Sequence, residues 1–138
     1  MPYDTFVDTS GFYALLIKQD DRHEAACDFL RQAAEQRQGF ITTDYVIDET
    51  LTLLKARGHR HLLKGFIDSL LNSNACRIEW IDSERFSETV TFFLKRLDHD
   101  WSFTDCLSFR VMAELNLRQA LTKDGHFEAA GFVALLKS

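Results

Sequence analysis

Apolar and polar positions follow two rhythms along this chain. Compact apolar blocks read as strands: YDTFVD at 3–8, GFIT at 39–42, CRIEWI at 76–81, QALT at 119–122 and FVALL at 132–136. Between them the apolar period lengthens to that of a helix. Helices are predicted over 10–19, 23–36, 44–57, 60–72, 83–97 and 105–115, with a turn or short helix over 124–130. In the second helix Ala26, Phe29, Leu30 and Ala33 share one face. Thr9 or Ser10 suits the cap of the first, Gly39 stops the second and Gly58 ends the third. Short strands alternating with helices imply βαβ units. The expected fold is α/β, a three-layer α/β/α sandwich around a mostly parallel sheet.

In such folds ligands bind outside the carboxyl ends of the strands. Three acids belong on that edge. Asp8 ends the first strand, Asp105 opens a helix, and Asp124 follows the QALT strand. Glu49 lies inside the third helix, at the margin of its packed face beside Leu53 and Tyr45, where it would point along the rim of a cleft. Each acid also has a local explanation. Asp8 suits an Asx-turn or cap, Glu49 a solvated helix surface and Asp124-Gly125 a turn; Ser102-x-x-Asp105 has capping-box spacing. Only their convergence would give them another role. Four unpaired carboxylates repel one another unless a cation joins them. An all-oxygen ligand set favours a hard ion, Mg²⁺ or Mn²⁺, over zinc.

Composition narrows the choices. The chain has 138 residues, 46% apolar with twelve Phe, enough for one domain (1–138) with a core that needs no disulfide. There is one Pro, no repeat and no linker-like stretch. Cys27, Cys76 and Cys106 are widely spaced and read as small buried side chains in a reducing cytoplasm. No N-terminal apolar leader and no membrane-length apolar run are seen. The net charge of −5 argues against an ordinary nucleic-acid groove. That objection weakens if clustered acids hold divalent cations.

Five ordered blocks resemble the PIN-domain family, and within it the VapC-type toxins of type II toxin–antitoxin pairs. They are FVDTSGFYALL (6–16), TTDYVIDETLTLL (42–54), IEWID (78–82), WSFTDCLSF (101–109) and ALTKDGHFEAAGF (120–132). The resemblance implies a parallel-sheet sandwich and a metal-dependent endoribonuclease. It implies that Asp8, Glu49, Asp105 and Asp124 bind Mg²⁺ or Mn²⁺ and carry catalysis, supported by Thr9 or Ser10 and by Thr104. It also implies a homodimer and a VapB-type antitoxin partner; some of Phe12, Tyr13, Leu15 and Leu16 are candidates for the antitoxin's groove, and core packing explains the same residues.

Lys55, Arg57, Arg60 and Lys64 form a basic stretch without an acid, a candidate guide for an RNA backbone or an ordinary solvated corner. His126 is close enough to Asp124 to touch the site or the substrate. His59-x-His61 lacks a third ligand and reads as a surface pair. Trp80 is expected in the core or an interface. A phosphohydrolase of the aspartyl-phosphate type would need D-x-D where this chain has Asp8-Thr9-Ser10. A receiver domain leaves Glu49 without a role. The remaining alternative is a PIN module that binds RNA or protein without cutting.

Overall fold

The computed structural model describes residues 2–137. Its five strands are β1 (Tyr3–Val7), β2 (Gly39–Thr43), β3 (Cys76–Glu79), β4 (Gln119–Leu121) and β5 (Val133–Ala134). They form one parallel sheet in the order β3-β2-β1-β4-β5. Its helices are α1 (Thr9–Leu16), α2 (His23–Glu35), α3 (Asp44–Ala56), α4 (Leu63–Asn72), α5 (Ser83–Leu94), α6 (Phe103–Glu114) and α7 (Gly125–Ala129). The predicted three-layer α/β/α architecture is the one observed.

The strand order explains where a site can form. From β1 the chain steps outward through β2 to β3, then returns to the other side of β1 for β4 and β5. Right-handed crossovers therefore send the helices before β3 to one face and those after it to the other. Alternation along β1 serves both layers. Val7 faces the α1 side with Phe12, Phe40 and Phe66. Phe6 faces the other way, its ring 6.4 Å from that of Phe127, which in turn meets Phe109 edge-on at 4.9 Å. Phe6 and Phe127 are wholly buried.

Several predicted boundaries move, for local reasons. The helix expected over 105–115 starts at Phe103, because Ser102 supplies the cap. The segment 60–72 opens with a 3-10 turn, Arg60–Leu62, before α4. The helix expected to reach 97 ends at Leu94, and the one expected to reach 19 ends at Leu16. The last strand shrinks to Val133–Ala134, since it is an edge strand pairing only with three-residue β4. Trp80 is 63% exposed just beyond edge strand β3, not in the core. Cys106 is buried as expected, whereas Cys27 and Cys76 are only half-buried and line an apolar groove; all three are free thiols.

One close approach holds α1 in place. A Cβ on Gly11 would lie 2.0 Å from the Leu121 carbonyl oxygen, so only glycine lets this helix rest on the end of β4. That contact sets the two carboxyl ends side by side.

Candidate active site

The sheet reverses its direction of growth between β1 and β4, and there both strands release their chains at the same edge. Asp8 follows β1, and its backbone N–H donates to the Leu121 carbonyl, 3.3 Å away. Asp124 follows β4 and opens α7, where its Oδ1 accepts the His126 backbone N–H at 2.8 Å. Thr122 ties the two together. Its hydroxyl donates to Asp8 Oδ2 at 3.0 Å and accepts the Asp124 N–H at 3.0 Å. With that single hydrogen committed to Asp8, the Ser10 hydroxyl must be the donor in its 3.0 Å bond to Thr122. Ser10 Oγ in turn accepts the Lys123 N–H at 2.8 Å.

Asp105 comes from the opposite layer, on the first turn of α6. The capping box is real: the Asp105 N–H donates to Ser102 Oγ, and Asp105 Oδ2 accepts the Ser102 N–H. That same oxygen lies 2.9 Å from His126 Nδ1, and the ring nitrogen is 3.4 Å from Asp124 Oδ1. Asp105 is thus both a helix cap and part of a cluster. Glu49 reaches the cleft from α3, which touches both α1 and α6. Asp8, Glu49 and Asp124 line a cleft of about 320 Å³ together with Thr9, Ser10, Tyr13, Asp20, Leu53, Arg57 and Lys123.

The electrostatics are those of a site short of positive charge. Burial raises the Asp8 carboxyl to about 7, and the charges of Asp105 and Glu49 push the same way; hydrogen bonds from the Thr9 N–H and Thr122 only partly oppose this. Burial also raises Asp105, aided by Asp124 and resisted by His126. Burial disfavours the charged His126 ring, but the Asp105 hydrogen bond and nearby carboxylates outweigh it, so its pKa rises. Lys123 does not neutralise the acids, because its Nζ is engaged by Asp20 at 3.2 Å and Asp21 at 2.9 Å. Among the described residues no lysine or arginine pairs with Asp8, Glu49, Asp105 or Asp124. This donor set, carboxylate-rich and, among the described residues, without a lysine or arginine partner, fits a divalent cation.

A family model described as PIN domain matches residues 5–133. The chain belongs to the PIN-domain family. Its match within that family is to VapC proteins. The 23S rRNA-specific endonuclease VapC20 of Mycobacterium tuberculosis is 34% identical over 129 residues, covering 93% of this chain and 95% of the relative. A VapC ribonuclease of Archaeoglobus fulgidus is 28% identical over 114 residues, covering 81% of this chain and 72% of the relative. The crystal structure of M. tuberculosis VapC20, a sarcin–ricin loop cleaving toxin, superposes with a TM-score of 0.82 at 31% identity, covering 94% of this chain and 97% of that one.

The other residues singled out in this PIN domain divide by position. Thr9 is buried; its hydroxyl contacts the Val46 carbonyl and Thr50, while its backbone N–H serves Asp8. Thr104 offers its carbonyl to Ser108. Of the basic stretch, Arg57 lines the cleft, its guanidinium 5.0 Å from the Tyr13 ring centre. The Tyr13 hydroxyl is 3.3 Å from His59 Nε2. Lys64 is paired with Asp68, and Lys55 and Arg60 are exposed away from the cleft lining. Sequence reasoning missed Thr122. The available signal was a hydroxyl residue ending a strand, two positions before an acid on the same sheet edge.

Proposed function

We propose that this PIN domain is a divalent-metal-dependent endoribonuclease, the toxin half of a toxin–antitoxin pair. A four-carboxylate site, Asp8, Glu49, Asp105 and Asp124, holds Mg²⁺ or Mn²⁺. The observation that carries this is Asp8: buried, raised to about 7, grouped with other acids and without a basic partner. A cation bound there would supply Lewis acidity for water attack on a phosphodiester and would offset charge on the departing oxygen. The protein's part is positional. Thr122 and the Thr9 N–H fix the Asp8 carboxylate, and Ser102 fixes Asp105. Arg57 stands at the cleft to hold an RNA phosphate; Lys55, Arg60 and Lys64, outside the cleft lining, would attract the RNA backbone from a distance. His126 faces the same acids.

The apolar groove bounded by α1, α2 and α4, about 300 Å³ and lined by Phe12, Leu16, Leu30, Phe66 and Leu70, suits an amphipathic helix of a VapB-type antitoxin. Exposed Trp80, Leu94 and Leu97 suit a homodimer contact. Free thiols suit the cytoplasm, and among the described residues no helix is long and apolar enough to cross a membrane. The relative's substrate makes the sarcin–ricin loop of 23S rRNA the first RNA to test. Cleavage of that loop with Mn²⁺ or Mg²⁺, abolished by EDTA and restored by metal, is expected for wild type and not for Asp8→Ala. An inert wild-type protein that still binds the RNA would favour the non-cutting PIN module.

A further inference from the structure

One nitrogen joins two of the acids, Asp105 and Asp124. The ligand-capable atoms of Asp105, Asp124 and His126 all lie within 4.8 Å of one another. His126 Nδ1, and not only its exposed edge, faces inward: it is 2.9 Å from Asp105 Oδ2 and 3.4 Å from Asp124 Oδ1. The backbone that carries the ring is anchored on both sides. The His126 N–H is held by Asp124 Oδ1, and the next residue, Phe127, is wholly buried against Phe6 and Phe109. Residues from α6 and from the start of α7 thus present two carboxylates and an imidazole to one point.

We propose that His126 Nδ1 is a direct ligand of the cation held by Asp105 and Asp124, and that this nitrogen biases the site toward Mn²⁺ over Mg²⁺. The inference rests on the metal-dependent function proposed above. Its chemical basis is ligand softness and hydration. Mg²⁺ prefers oxygen, keeps its waters and demands near-ideal octahedral geometry. Mn²⁺ shares the carboxylate preference of Mg²⁺ but, as a transition ion, tolerates a ring nitrogen better, so one imidazole in a carboxylate set shifts the balance from Mg²⁺ toward Mn²⁺. Coordination through Nδ1 leaves Nε2 carrying the ring hydrogen, a donor available to solvent or substrate. The competing role is positional: His126 would only donate a hydrogen bond that orients Asp105.

Pulsed electron paramagnetic resonance on the Mn²⁺-loaded full chain separates the two, because a coordinated ring nitrogen couples to the Mn²⁺ spin. Wild type is expected to show that coupling, and His126→Gln and His126→Ala to lack it. Gln keeps an N–H for Asp105 but has no ring nitrogen, so it rescues positioning and not ligation. Competition titrations should show Mn²⁺ affinity falling by about tenfold in both variants, with a smaller loss for Mg²⁺. Mn²⁺ bound to wild type without nitrogen coupling, or coupling that survives in His126→Gln, overturns the histidine ligand and leaves the carboxylate site standing. Failure of wild type to bind Mn²⁺ overturns both, whereas unchanged binding in Asp8→Asn overturns the four-carboxylate site and leaves the histidine ligand standing.

Discussion

Replacing Asp8 by Asn should stabilise the metal-free protein, and the gain should depend on pH. In the fold the carboxyl is raised from 3.8 to about 7; in the unfolded chain it returns to its ordinary value. Between those values the unfolded state sheds a proton that the folded state keeps, so stability falls as pH rises. A separation of about three pH units, at roughly 1.4 kcal/mol each, puts the full penalty near 4 kcal/mol above pH 7. Solvent entry and relaxation reduce it, so a gain of about 2–4 kcal/mol is expected at pH 8. Asn is neutral, nearly isosteric and able to accept the Thr122 hydroxyl through Oδ1. Unfolding entropy for a chain of this length converts the gain into a rise in Tm of about 7–14 °C. The assay is thermal and urea unfolding of both proteins in EDTA at pH 4, 6 and 8. At pH 4 the two should nearly coincide, because folded wild type is then protonated. Adding Mn²⁺ at pH 8 should stabilise wild type more than the variant. A variant no more stable than wild type at pH 8, or equally favoured at pH 4, would refute both the buried charge and its cost.

Three further outcomes follow from contacts already described. Gly11→Ala places a methyl group 2.0 Å from the Leu121 carbonyl and should cost about 2–3 kcal/mol in urea unfolding, with α1 displaced from β4. Thr122→Val removes the donor to Asp8 and the acceptor for Ser10 and Asp124; at fixed Mn²⁺ the pH of half-binding should rise by about one pH unit, read by calorimetry. Arg57→Ala should raise KM for RNA several-fold, lower the salt slope of binding by about one charge and leave Tm nearly unchanged; an unaltered salt dependence would remove Arg57 from the RNA path.

Much of the layered fold is visible as alternating periods, because the central strands β1, β2 and β4 are mostly buried on both faces and most helices on one. The segment ends are less visible, since they depend on partners. Val133–Ala134 is short because β4 is short, and α6 begins early because Ser102 finds the Asp105 N–H. The edge rule finds Asp8, Asp105 and Asp124 from local pattern, and the helix wheel aims Glu49 at the same rim. What it does not reveal is the wiring among them. The Thr122 hydroxyl direction, the Asp105–His126 contact across 21 positions and the capture of Lys123 by Asp20 and Asp21 arise from segments that meet only after folding. The same holds for Arg57, one of several basic residues in its stretch, which packing on Tyr13 brings to the cleft.

Insertion of β4 beside β1 has a consequence for the timing of biosynthesis. Every residue of the apolar groove, from Val7 to Cys76, is translated before Asp105 or Asp124. The apolar groove is therefore encoded in full while two of the four acids are still missing, and the carboxylate set is completed only by the last-translated quarter of the message.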